Sequence, residues 1–138
     1  MLTETEFSLP RLAAAVLCTL GALAGVTPGP AQAQPQTTET ISLSPGASTT
    51  IMLRENPSTG FKWRLNTAQS TNLAAVRVSD GGYQAGQSGL IGAPGTLRWE
   101  IKARAPGNAI IVFTYARPWE HKPPAETRLV KVHTRRGR

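Results

Sequence analysis

Short runs of alternating apolar and polar residues, separated by Gly- and Pro-rich turns, constrain the fold of this chain more than any other feature. In residues 61–65, two aromatic residues and a leucine alternate with Lys62 and Arg64, the two-residue period of a half-buried strand. Residues 97–102 repeat this pattern, and the apolar run over residues 109–115 predicts a central strand buried on both faces. Beyond the N-terminal apolar run, no segment has the 3.6-residue period of an amphipathic helix, so the pattern predicts an all-β domain.

Segments of β-forming residues recur at regular spacing along the chain. The predicted strands cover residues 41–43, 49–53, 61–65, 74–78, 97–102, 109–115 and 127–133. We interpret residues 34–39 as a mobile polar lead-in and the glycine-rich residues 81–95 as one long loop. This spacing predicts an immunoglobulin-like β-sandwich of about seven to eight short strands, with Greek-key connections and no disulfide.

The N-terminal segment is interpreted as a secretory signal peptide. An apolar run over residues 12–26 precedes Thr-Pro-Gly-Pro and the small residues Ala31 and Ala33, which suit a cleavage site. The run is too short for a comfortable transmembrane helix. We therefore predict a signal peptide over residues 1–33 and a single mature domain over residues 34–138, which is exported to the periplasm or secreted.

The predicted mature domain is strongly basic. Removing Arg11, Glu4 and Glu6 with the leader takes the 15 basic and 8 acidic residues of the chain to 14 and 6, a net charge of +8. Such a domain attracts acidic proteins, nucleic acids and anionic membrane surfaces. Because the cations are spread over many segments and a basic tail at residues 135–138, without interleaved aromatic residues, we interpret them mainly as a solvated surface and do not expect nucleic-acid binding.

Little in the predicted mature domain can carry catalysis. The single cysteine, Cys18, lies in the leader, which leaves no disulfide, thiolate nucleophile or cysteine-based metal site. Residues 86–89 match the start of the Gly-x-Ser-x-Gly nucleophile elbow around Ser88, but Leu90 occupies the position where that motif needs its last glycine. The two histidines are far apart, and the carboxylates have no paired spacing, although Glu55 and Glu120 could meet at one end of a sandwich. We therefore predict a protein that is not an enzyme and binds no metal or cofactor.

Three segments between predicted strands have the composition of a binding surface. In residues 56–60, Pro57 fixes its own φ angle and Gly60 permits a turn that other residues resist, so the loop loses little entropy on docking. Trp119, next to a proline and near an arginine, is typical of an interface hot spot. Residues 89–96 are flexible enough to approach a partner's backbone. The alternatives are a plain connecting turn, a surface loop, and a Trp119 that folds back over the core.

In order and spacing, these three segments resemble the loops of the chagasin-like family of cysteine peptidase inhibitors. Residues 56–61 read Asn-Pro-Ser-Thr-Gly-Phe and depart from the Asn-Pro-Thr-Thr-Gly-Phe type motif of the family at Ser58. Residues 92–95 match its Gly-x-Gly-Gly type motif except for Pro94, and residues 117–119 match its Arg-Pro-Trp motif. The resemblance extends over most of the mature domain.

The resemblance implies a reversible, competitive inhibitor of papain-like cysteine peptidases, acting as a monomer without a cofactor. The first loop would enter the catalytic cleft and block its Cys–His pair, and the other two loops would grip either side. The implied peptidase-binding residues are Asn56, Pro57, Ser58, Thr59, Gly60, Phe61, Leu90, Ile91, Gly92, Ala93, Pro94, Gly95, Arg117, Pro118 and Trp119. Because Pro94 removes a backbone donor, it is expected to lower affinity or shift enzyme preference.

The alternative is an exported β-sandwich module that uses the same end loops to bind a carbohydrate or an anionic surface. In that interpretation, Trp63, Trp99 and Trp119 are exposed and stack on sugars. Inhibition of papain by the purified protein distinguishes the two functions.

Overall fold

The computed structural model describes Gly29 and residues 33–137, which form β-strands and two single-turn 3-10 helices. The strands are β1 (Gln36–Leu43), β2 (Ser48–Glu55), β3 (Lys62–Leu65), β4 (Val76–Gln84), β5 (Gly95–Ala103), β6 (Gly107–Ala116) and β7 (Glu126–Thr134), and the 3-10 helices are Pro57–Thr59 and Leu73–Ala75. Apart from Gly29 and Ala33, the predicted signal peptide lies outside the described residues. Within the described part of the chain, no helix is long and apolar enough to cross a membrane.

The strands form two sheets that face each other. One sheet has the order β1-β7-β6-β3 and the other has the order β2-β5-β4. The inward side chains of both sheets form one apolar core, whose fully buried members include Leu53, Ile101, Ile111, Phe113 and Val130. This arrangement confirms the predicted all-β, immunoglobulin-like sandwich.

The two-residue period decides which side chains enter the core, including Trp63 and Trp99, which only the carbohydrate-binding alternative places at the surface. Trp63 is buried, and its indole N–H donates to the Arg54 carbonyl at 2.9 Å. Trp99 is half-buried and packs against Phe113, with ring centroids 5.1 Å apart. The expectation that Trp63 and Trp99 stack on sugars is therefore wrong, because their strands turn both rings inward.

Strand β6 is one of the two inner strands of its sheet, in agreement with the central position that its apolar sequence predicts. It lies between β7 and β3, and Phe113 is fully buried on its inner face. On the outer face, Val112 is covered by the loop that begins at Asn66, whose backbone N–H donates to the Val112 carbonyl at 2.8 Å. The prediction that this strand is buried on both faces is confirmed at its middle.

Strand β1 corrects the interpretation of residues 34–39 as a mobile lead-in. The strand begins at Gln36 and pairs in parallel with β7, from Gln36 opposite Thr127 to the Leu43–Thr134 pair. An ion pair between Glu39 and Arg128, 3.0 Å apart, ties the two strands together. Polar threonine-rich residues form this strand because its backbone pairs with a distant segment, which no local pattern reveals.

Strand β4 is longer than predicted and shortens the long loop to residues 85–94. The prediction ended the strand near residue 78, because glycines at 81 and 82 disfavour regular strands. In the structure the register with β5 shifts between Asp80 and Gly82, which marks a β-bulge. Gly82 adopts a φ of 87°, and its N–H donates to the Asp80 carboxylate at 2.7 Å. The bulge accommodates the two glycines, so that β4 continues to pair with β5 as far as Gln84.

Candidate functional site

The first loop connects β2 to β3 and is braced by its own hydrogen bonds. Pro57–Thr59 forms a single 3-10 turn in which the Thr59 N–H donates to the Asn56 carbonyl at 3.1 Å. The Asn56 side-chain oxygen accepts from the Ser58 N–H at 3.2 Å and from the Ser58 hydroxyl at 2.6 Å. The Thr59 hydroxyl donates to the Asn56 carbonyl at 2.7 Å. The loop is therefore stiff without any partner, as the sequence predicts.

Gly60 ends this turn under two constraints. Its φ is 79°, in the left-handed region that favours glycine. In addition, a Cβ atom at this position would lie 2.5 Å from the Trp119 ring. The Trp119 side chain of the third loop thus lies directly on Gly60, at the tip of the first loop.

The base of the first loop is held by Glu55 and Tyr115, neither of which was among the predicted peptidase-binding residues. Glu55 is buried, and its carboxylate accepts from the backbone N–H of Trp63 at 2.8 Å. The Tyr115 hydroxyl accepts from the Asn56 N–H at 3.3 Å, while its ring stacks between Phe61 and Trp63, with centroids 5.3 and 5.0 Å away. Glu55 was predictable as a buried acid, because the alternation of β2 that turns its apolar residues inward turns Glu55 inward too.

The second loop, residues 85–94, contacts the first through Asn56 and Ser58. The Asn56 side-chain amide donates to the Gly92 carbonyl at 2.9 Å, and a Cβ atom at Gly92 would lie 3.5 Å from the Ser58 hydroxyl. Leu90 and Ile91 are among the most exposed apolar side chains of the described residues. This loop therefore presents an apolar tip while its backbone rests on the first loop.

The end of the second motif is less accessible than its beginning. Gly95 is buried as the first residue of β5, packed closely against the Gln84 carbonyl and the Tyr83 ring. Pro94 is half-buried, and its carbonyl approaches Gly86 so closely that a Cβ atom there would collide with it. These two residues shape the base of the loop, whereas Leu90 and Ile91 project from it.

The third loop connects β6 to β7 and reaches the first loop through Arg117. The Arg117 Nε donates to the Thr59 carbonyl at 3.0 Å, and its guanidinium lies 4.4 Å from the centre of the Phe61 ring. The Arg117 Nη1 also pairs with Glu120 at 2.9 Å. This hydrogen bond is the main reason why the pKa of Glu120 lies below its ordinary 4.5. Desolvation of the carboxylate raises the pKa, and the nearby Lys122 lowers it further. Glu120 therefore bonds to Arg117 of its own loop, whereas Glu55 bonds to the backbone of Trp63.

Together the three loops form one surface at a single end of the sandwich. Of the five exposed large apolar side chains among the described residues, Leu90, Ile91 and Trp119 lie on these loops and Tyr83 lies beside them. The fifth, Met52, is on β2. Within the same residues, no three His, Cys, Asp or Glu side chains are placed to hold a metal ion. The arrangement is suited to binding a macromolecular surface through a rigid, partly apolar tip.

The chain is similar to known peptidase inhibitors in sequence. Residues 42–133 match the family described as Chagasin family peptidase inhibitor I42. Chagasin from Trypanosoma cruzi is 34% identical over 82 residues, which cover 58% of this chain and 74% of chagasin. Amoebiasin-1 from Entamoeba histolytica is 28% identical over 94 residues, which cover 68% of this chain and 88% of the relative.

Solved structures agree with the sequence comparison. The cysteine protease inhibitor EhICP2 from Entamoeba histolytica superposes with a TM-score of 0.59 at 28% identity, covering 73% of this chain and 95% of the inhibitor. PbICP-C, in its complex with falcipain-2, superposes with a TM-score of 0.58 at 28% identity, covering 74% and 91% of the two chains. Since the family match spans most of the chain and the fold agrees, the chain belongs to the chagasin family of cysteine peptidase inhibitors and is not an enzyme.

Proposed function

We propose that this protein inhibits papain-like cysteine peptidases reversibly and competitively, by placing its three loops in and around the catalytic cleft. The observation that carries the proposal is the linkage of the loops into one surface, through the Asn56–Gly92 and Arg117–Thr59 hydrogen bonds. The similar inhibitor PbICP-C has been determined in complex with falcipain-2. A pre-formed surface of this kind loses little conformational entropy on binding, which favours tight association.

The geometry of the first loop supports binding without cleavage. A substrate must offer an extended backbone and a free carbonyl to the nucleophile, but residues 57–59 are held in a 3-10 turn. The Thr59 carbonyl already accepts from Arg117, so moving it toward a catalytic group would break that bond. Docking of the Thr59–Gly60 tip therefore fills the cleft with backbone that is not presented as a scissile bond.

The flanking loops supply the apolar contacts. Leu90 and Ile91 project on one side of the first loop, and Trp119 covers Gly60 on the other with 65% of its surface exposed. Large apolar groups held on rigid backbone are typical anchors of protein interfaces. We assign the cleft-filling role to the first loop and the gripping role to these three side chains.

Steady-state kinetics with papain tests the proposal. Purified protein is expected to raise the apparent KM for a fluorogenic substrate without changing kcat, to act at one-to-one stoichiometry, and to release active papain on dilution. Trypsin, with a differently shaped cleft, serves as the control and is expected to remain active. Full papain activity at micromolar protein, together with binding to a glycan array, would favour the carbohydrate-binding alternative instead.

A further inference from the structure

The end of the sandwich opposite the three loops carries a cluster of cations. Arg77, near the start of β4, lies directly opposite Lys102, near the end of β5, and both side chains are exposed. The other ends of these strands, Gln84 and Gly95, lead into the second loop. At a rise of about 3.3 Å per residue, the Arg77–Lys102 pair is roughly 23 Å from the loop end.

Backbone hydrogen bonds bring further arginines to the same end. The Arg104 N–H donates to the Ala75 carbonyl at 2.8 Å, which places Arg104 beside the start of β4. The turn between β1 and β2 bonds to Ala103, with its Gly46 N–H 2.8 Å from the Ala103 carbonyl. On the other side of that turn, the Arg135 N–H donates to the Leu43 carbonyl at 3.0 Å. We call Arg77, Lys102, Arg104, Arg135 and Arg136, all exposed, the basic pole.

The carboxylates of residues 33–137 lie elsewhere. Those of Glu55, Glu120 and Glu126 belong to the loop end, Glu39 pairs with Arg128, and Asp80 is at the β4 bulge. The carboxylate that lies nearest to the basic pole along the strands is that of Glu100, two residues before Lys102 on the same face of β5. None of the basic-pole cations forms an ion pair with another described residue.

The Arg77–Lys102 pair itself points to an anionic ligand. Like charges directly opposite each other on neighbouring strands lower the stability of a sheet. Both residues are on the solvated face, where neutral polar residues would serve the fold equally well. Anions bound at this end would remove the repulsion.

We propose that the basic pole binds the surface of an anionic phospholipid membrane. Its cations surround a blunt end of the sandwich, where a planar array of headgroups can meet several of them at once. Clusters of four to eight Lys and Arg residues are typical of such surfaces, each contributing roughly 1 kcal/mol, or about 5-fold in affinity. This site is independent of the proposed peptidase surface, and its position directs the three loops away from the membrane.

Sedimentation with lipid vesicles tests the site. The protein is expected to bind vesicles of phosphatidylcholine mixed with phosphatidylglycerol, to ignore phosphatidylcholine alone, and to dissociate as salt is raised. The triple variant R77Q/K102Q/R104Q is expected to bind roughly 100-fold more weakly. Because the three side chains are exposed and far from the loops, its melting temperature and its inhibition of papain are expected to match the original protein.

A matched variant removes the same charge from the other sheet. Lys62, Arg64 and Lys131 are exposed on the outer face of β3 and β7, and K62Q/R64Q/K131Q is expected to lower vesicle binding by less than about 5-fold. Equal losses in the two triple variants would show a diffuse effect of net charge and overturn the site. Binding of heparin or duplex DNA without binding of anionic vesicles would overturn the membrane as the ligand.

Discussion

At the scale of single residues, Gly60 and Trp119 connect the first and third loops. The glycine provides a left-handed backbone and the space in which the indole ring lies, and the ring remains 65% exposed. The sequence predicted a special role for glycine at this position, from turn chemistry alone. The contact with Trp119 was not predictable, because the two residues are far apart in the chain.

Replacing Gly60 with alanine is expected to impair inhibition more than replacing Ser58 with alanine. At Gly60 the strained φ and the clash with the indole ring cost on the order of 1 kcal/mol or more and displace both loops. Ser58→Ala removes one hydroxyl hydrogen bond, worth about 0.5–1.5 kcal/mol. Inhibition constants against papain, with melting temperatures as a control, decide the order. If both variants inhibit as well as the original, the first loop does not occupy the cleft.

Replacing Trp119 with alanine is expected to weaken inhibition by roughly 30- to 1000-fold, the usual effect of losing an aromatic anchor worth about 2–4 kcal/mol. Because most of the ring is exposed, the melting temperature is expected to change little. Both quantities are measured on the same preparation. A sharp drop in melting temperature with unchanged inhibition by the folded fraction would instead identify Trp119 as a cover for the core.

At the scale of elements, the third loop is fastened by Arg117, and Glu120 determines how this fastening depends on pH. The Arg117 hydrogen bond lowers the pKa of Glu120, so the folded state favours the ionised carboxylate. The contribution of this interaction to stability is present above the ordinary pKa of 4.5 and is lost as the pH falls through the lowered value. The Arg117–Glu120 pair therefore persists at a pH where an ordinary glutamate is half protonated.

An NMR titration of the side-chain carboxyl of Glu120 checks this assignment. The measured pKa is expected to lie below 4.5, to rise in Arg117→Gln, and to rise less in Lys122→Gln, since the hydrogen bond to Arg117 is the largest cause. A larger rise in Lys122→Gln would contradict the assigned geometry of the loop.

The sequence predicted the elements whose causes are local and missed those whose causes are distant. Alternation located β2, β3, β5 and β7, and turn residues located the three loops between them. The prediction found only residues 41–43 of β1 and missed residues 36–40, because the threonines there carry no apolar pattern and their extended shape depends on β7. The continuation of β4 past Gly82 was missed because the bulge is defined by pairing with β5. Motif spacing identified the loops of the candidate site, whereas Glu55 and Tyr115, which hold the base of the first loop, were not predicted as site residues.

At the scale of the whole molecule, the apolar contacts of β1 contribute to closing one side of the sandwich. Ile41 and Leu43 are half-buried against the core. The double substitution I41A/L43A is expected to lower the free energy of unfolding by about 2–4 kcal/mol, less than two fully buried sites would lose. Urea denaturation measures the change, with the exposed Thr40→Ala as control. Inhibition at low temperature should survive, and a stability equal to that of the original protein would show that β1 is not docked.

The parallel pairing of β1 with β7 also determines at what point in synthesis the four-stranded sheet can form. Gln36 and its partner Thr127 are 91 residues apart, so this pairing closes one of the longest loops available to the domain. During synthesis, the first strand to emerge has no partner until the last strand follows it. A chain that stops before Glu126 thus lacks one strand in sequence, but it leaves β1 with no partner strand and β6 with only β3.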